Sequence, residues 1–250
     1  RNELGTSSDV GLSGEFSDYA THTDAAFDDQ NYGISPNVAL TLESIDSMST
    51  VSTAGTQGTY RTQAVDALAA GNAAANAVAS AKLDTEARQV TITANTVLIN
   101  QQQANLSAAL VQGDPNAATT ARIAIANAQI AIKIALTQIE ANAGAIKTQS
   151  LAAKTAATTT KTKLGSLLTT AISEAQSLRD STQAIAAADG STAAQQTAAA
   201  TALTNYNADV VKRDALLVTS ATPATNGFLT RVNKAAAGLG AINTILTTAA

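Results

Sequence analysis

The sequence predicts an all-α fold: an elongated bundle of long antiparallel Ala/Thr-rich helices with an extended N-terminal arm. Three observations predict it. Apolar content is 45% but aromatic content only 3%, and much of the apolar share is alanine. Thin Ala-lined helices pack by close approach, whereas a round core needs large side chains to fill its middle. Long stretches run without a helix breaker. Large aliphatic residues recur every seven positions within those stretches, the period of coiled-coil packing.

Residues 1–35 read as an acidic extended arm and residues 36–250 as the helical domain. The arm holds four of the chain's seven aromatic residues, Phe16, Tyr19, Phe27 and Tyr32. Segments that stay disordered are poor in aromatics, so these four read as anchors for docking. Residues 1–60 contain nine acids and one base, a net of −8, against 14 bases and 10 acids (+4) in the remainder. That asymmetry points to association between the two parts, within one chain or between chains.

The three prolines each follow a residue with a capping oxygen: Ser35-Pro36, Asp114-Pro115 and Thr222-Pro223. An N-cap followed by proline at the first helical position is a start signal, and Gly113 and Gly190 supply stops. The resulting map has a helix from Pro36 to Thr53, a Gly-rich joint at 55–58, and a helix from Tyr60 to Val111. After a turn at 112–115, a very long helix spans Asn116 to Ala188. Further helices follow from Ser191 to Thr219 and, after a loop at 220–226, to Thr247. At 1.5 Å per residue the two longest helices are roughly 80 and 110 Å long, and the short turn between them makes them antiparallel. Val90-Thr91-Ile92-Thr93 and Ile123 to Asn127 also alternate with a strand-like period. Their embedding in unbroken runs far longer than any ordinary strand assigns them to helix.

The seven-residue series are Ile92, Ile99 and Leu106 in the first long helix and Ile125, Ile132, Ile139 and Ile146 in the second. A further series, Leu83, Val90 and Val97, is offset by two positions. Two residues turn about 200° around a helix, so the two stripes lie on nearly opposite faces. Ile123 and Ile130 repeat the arrangement in the second helix. A hairpin covers one face of each helix, so the other face needs a partner: the remaining helices of the chain or another subunit. Lys147, Lys154 and Lys161 form a basic stripe, either a solvated face or a dock for the acidic arm. The expected assembly residues are thus the four arm aromatics, the two apolar series and these lysines.

The chemistry of an enzyme is not visible. His22 is the single histidine, and no zinc-protease, phosphate-loop or dinucleotide motif occurs. The cluster Asp28 to Gly33 resembles a calcium loop in its first half, but Leu40 stands where the closing Glu belongs. Asp66, Asp84, Glu86, Asp114 and Glu140 read as isolated solubilising charges, and the Asn105-Leu106-Ser107 sequon as accidental. No cofactor or metal is expected. The net charge of −4 is unsuited to nucleic acid, and no run of 18 apolar residues would span a membrane. The absence of cysteine excludes disulfides and is compatible with the cell exterior or a virion. The first residue, Arg1, is not a methionine, which a cleaved leader or trimming would explain.

The function expected is a structural subunit of an extracellular self-assembling filament, its partners copies of itself. A phage or virus fibre or capsid-decorating protein is the alternative, and an adhesin-like or ice-binding rod a third.

Overall fold

The computed structural model describes residues 23, 26, 27, 29 and 33–248, with side chains to residue 239. The fold is all-α, and no strand occurs among the described residues. Helix α1 spans Ile34–Asp46, α2 Gly55–Gln112, α3 Pro115–Ala187, α4 Ala193–Leu217 and α5 Phe228–Thr248, with a 3-10 turn at Pro223–Thr225. Helices α2 and α3 contain 58 and 73 residues.

The turn between α2 and α3 forms as its residues dictate. Gly113 adopts φ 68°, a left-handed conformation that ends α2 without a Cβ clash. Asp114 Oδ1 accepts from the backbone N–H groups of Asn116 and Ala117, both at 3.0 Å, and Pro115 occupies the first helical position. At the start of α4, Thr192 and Gln195 form a reciprocal capping box, while Gly190 takes φ 80° beyond the end of α3.

The other two proline signals resolve differently. Helix α1 starts at Ile34, with Gly33 as its N-cap, because the Ser35 hydroxyl donates instead to Asn72 Oδ1 at 2.6 Å. Thr222-Pro223 opens only the 3-10 turn, and α5 begins after Gly227. Helix α1 stops at Asp46, short of the expected Thr53, and Gly55 and Gly58 lie inside the first turn of α2. Residues 47–54 are instead held as a loop by side chains. Buried Asp209 accepts from the Ser49 N–H and, at 2.5 Å, from the Ser49 hydroxyl. The Thr50 hydroxyl donates to the Ala171 carbonyl, and Gln57 bridges the Thr50 carbonyl and Glu174. Met48 turns inward with the core.

The chain divides into two compact units. Among the described residues the first comprises 76–150, and within it the ends of α2 and α3 form an antiparallel hairpin. Its core is narrow: Ile92 and Ile99 of α2 meet Ala128, Ile132, Ala135 and Ile139 of α3, with Ile125 and Leu136 packed alongside. The second unit comprises residues 22–75 and 151–250. There α1, α4 and α5 join the other segments of α2 and α3 around a larger core that includes Phe27, Ile45, Leu164, Leu167, Leu216 and Val232. Thr160 reaching the Ala64 carbonyl, and Gln57 reaching Glu174, set the antiparallel alignment in this unit.

Candidate assembly surface

The seven-residue repeat sorts side chains by face. In the first unit Ile92, Ile99, Ile132, Ile139 and Ile146 are buried, and Ile125 and Leu106 half-buried, along the seam where α2 meets α3. All seven are expected assembly residues. Ile92, Ile99, Ile132 and Ile139 are thus core of the hairpin itself, with Ile125 packed against it.

The seam carries one polar lock. Asn142 is buried among the aliphatics, and its amide donates to Asp84 Oδ2 at 2.9 Å and to Thr85 Oγ1 at 3.0 Å. Gln138 donates to the Asn142 carbonyl at 3.0 Å. The Asn142 amide, and after it the Arg88 guanidinium, hold the Asp84 carboxyl below the usual carboxylate range. Asp84 is therefore a register-setting partner and Asp114 a helix cap, rather than the isolated solubilising charges expected of them.

The offset series lies on the outside. Leu83, Val90 and Val97 are 65%, 70% and 62% exposed. The series continues at the same spacing through Ala104 to Val111, all exposed. Between its members stand Ala87, Ala94, Gln101 and Ala108, also exposed, so the stripe advances in alternating steps of four and three residues. That is the spacing of a coiled-coil seam, and no other described helix covers it. No charged side chain occurs from Gln89 to Gly113. On α3, Ile123, Ile130 and Ile134 stand out at 56%, 57% and 61% exposure. Of the two partners open to these faces, the remaining described helices of the chain do not cover them.

Of the arm aromatics, Phe16, Tyr19 and Tyr32 lie outside the described residues, as do His22 and Asp28. Phe27 is fully buried in the second unit, its ring against Gly71. This part of the expected arm is core of its own chain. Lys147 is exposed in the first unit, and Lys154 and Lys161 are half-exposed in the second. Lys163 lies 5.4 Å from the Tyr60 ring centroid.

Sequence reasoning missed the full length of the inner seam. On α2 the repeat extends backwards from Ile92 through Thr85, Val78, Gly71 and Ala64, and on α3 forwards from Ile146 through Ala153, Thr160 and Leu167, each buried in its unit. Counting by sevens from the large aliphatics would have found them. Thr85, Gly71, Ala64, Ala153 and Thr160 gave no hydropathy signal.

Among the described residues no helix is long and apolar enough to cross a membrane, and no group of three His, Cys, Asp or Glu side chains is placed to hold a metal. No family model, curated protein or solved structure matches this chain.

Proposed function

We propose that this chain is a structural subunit of an extracellular filament or appendage, assembling with copies of itself through the outer faces of the hairpin formed by residues 76–150. The observation that carries this reading is the exposed heptad stripe from Leu83 to Val111. A stripe of this spacing places apolar side chains along one line, and removing them from water against a matching helix yields about 25 cal/mol per Å². A solitary exposed leucine needs no explanation, but a contiguous apolar stripe marks an interaction site. The uncharged stretch from Gln89 to Gly113 adds no ion that packing would have to desolvate.

The carboxylates support a structural rather than a catalytic role. Asp84, Asp114, Glu174 and Asp209 each accept hydrogen bonds that fix a helix register, a helix end or a loop.

Negative-stain microscopy and sedimentation of the purified chain test the reading. Extended polymers are expected. Small closed oligomers would transfer the proposal to a virion fibre or decorating protein. A monodisperse monomer at high concentration would end it.

A further inference from the structure

Two buried residues fix where the acidic N-terminal segment joins the described structure. Thr23 and Phe27 are fully buried. Phe27 belongs to the same core as Ala153 and Ala157 of α3. Lys154 stands three positions before Ala157, and Lys161 four after it. Residues three and four apart are neighbours on a helix surface, so the two lysines border the place where the segment enters the core. We infer that residues 1–22, which lie outside the described residues, dock along this lysine edge of their own chain, with Glu15 and Asp18 against Lys154 and Lys161. The inference does not depend on the self-assembly reading above.

Charge is the first support. Residues 1–22 hold four acids, Glu3, Asp9, Glu15 and Asp18, and one base, Arg1, a net of −3. On α3 no acid occurs between Glu140 and Glu174. Among the described residues neither Lys154 nor Lys161 takes part in an ion pair, whereas Asp180, Asp209 and Asp214 each have a basic neighbour of their own. The edge keeps a positive charge that the segment complements, and such complementarity selects a partner and its orientation.

Burial is the second. Lys154 and Lys161 are half-buried. Their aliphatic stems cover apolar surface and leave each ammonium at its rim, where a carboxylate can reach it. Lys163, by contrast, lies over the Tyr60 ring.

Reach is the third. At 1.5 Å per residue along α3, Lys154 and Lys161 stand about 10 Å apart. An extended chain rises about 3.4 Å per residue, which sets Glu15 and Asp18 about 10 Å apart as well. Asp18 is five residues from the buried Thr23, at most about 18 Å of chain. A segment tethered so closely presents its carboxylates to the edge at an effective concentration in the millimolar range. The carboxylates of a second copy have no such advantage, which favours the chain's own segment as the occupant.

Chymotrypsin cleavage after Phe16 and Tyr19 reads the docking in the full-length chain. Each rate is taken relative to a free peptide of residues 1–22 with the same substitutions, and the chain is kept dilute enough to be monomeric. The parent should be protected at low salt. Protection should vanish towards about 0.5 M salt, where exposed charges are screened, and this measurement needs no substitution. Lys154→Gln with Lys161→Gln should accelerate cleavage by roughly 2- to 30-fold, the effect of two exposed ion pairs. Glu15→Gln with Asp18→Asn should do the same. All four substitutions together should be no faster than either pair alone, because each pair removes the same contacts. Cleavage of the lysine variant at the parental rate, or additive effects of the two pairs, would overturn the inference. Protection that rises with chain concentration would place the segment on a second copy and overturn it as well. None of these outcomes touches the self-assembly reading, which sedimentation of the same chains tests separately. Circular dichroism confirms the helices of each variant.

Discussion

The ring of Phe27 lies on the bare backbone of Gly71. A methyl group built there would stand 2.5 Å from Phe27 Cε1 and 2.6 Å from Cζ, closer than atoms can pack. Glycine inside a helix costs about 1 kcal/mol relative to alanine. Its presence in the middle of α2 is offset by what it admits, a large aromatic ring sealed in the second unit.

Gly71→Ala should therefore destabilise the chain by about 1–3 kcal/mol despite its better helix propensity. Phe27→Ala should cost about 3–5 kcal/mol. Once the ring is gone, adding Gly71→Ala should cost nothing or restore stability. Urea melts of the four combinations measure the coupling; additive effects would mean that the ring does not occupy this place.

Two neighbouring isoleucines separate folding from assembly. Ile132→Ala opens the inner seam and should cost about 2–5 kcal/mol. Ile130→Ala, on the exposed face two residues away, should change the stability of the dilute chain by no more than about 0.5 kcal/mol. Thermal melts at low concentration decide between them. Equal losses would put both residues in the core.

The pair Asp84 and Asn142 predicts an acid-sensitive hairpin. Folding lowers the Asp84 pKa, so its contribution is present above the unfolded value, near pH 4, and is lost as pH falls through the folded value. Asn142→Ala removes the largest cause of the lowering. A carbon-detected titration of Asp84 should then move upward towards an ordinary aspartate, and the variant should lose less stability between pH 5 and pH 2 than the parent. An unmoved titration would exclude the contact.

Asp209 anchors the loop between α1 and α2. Asp209→Ala leaves the Ser49 N–H without its acceptor and should cost about 1–3 kcal/mol. Limited proteolysis should cut within residues 47–54 faster than in the parent, with α2 and α3 intact. An unchanged digestion pattern would show that Thr50 and Gln57 hold the loop without it.

The acidic arm is open to the same kind of test, with one constraint. Thr23 and Phe27 are fully buried. A truncation that asks whether the arm takes part in assembly must end before residue 23, or it removes core.

Much of the helical plan was legible because its signals are local. Gly113, Asp114 and Pro115 settle a turn among themselves, and an uninterrupted run of helix-compatible residues needs no distant partner to be read. The start at Ser35-Pro36 differs for the opposite reason, while the loop at 220–226 and the helix after it lie where the sequence map puts them. Ser35 spends its hydroxyl on Asn72, 37 positions away, and a capping oxygen committed elsewhere looks no different in sequence. The loop at 47–54 has the same origin, since Asp209 lies 160 positions from Ser49. The two faces of α2 were both visible as heptad series. Which one the hairpin would bury was not, because Ile92 and Val90 have similar hydropathy. The arrangement found, with the Ile92 face inward, is the one in which the Asn142 amide donates to Asp84 and Thr85.

The inner and outer stripes of α2 share one period, and this has a mechanical consequence. A straight α-helix has 3.6 residues per turn, so a stripe repeating every seven residues drifts around it by about 20° per repeat. Keeping contact along the inner seam demands a left-handed wrap of α3 on α2. Because Leu83, Val90 and Val97 drift at the same rate as Ile92 and Ile99, a further helix laid on the outer stripe meets a surface already wound to its own pitch. Layers can be added to such a cable without unwinding the strand beneath.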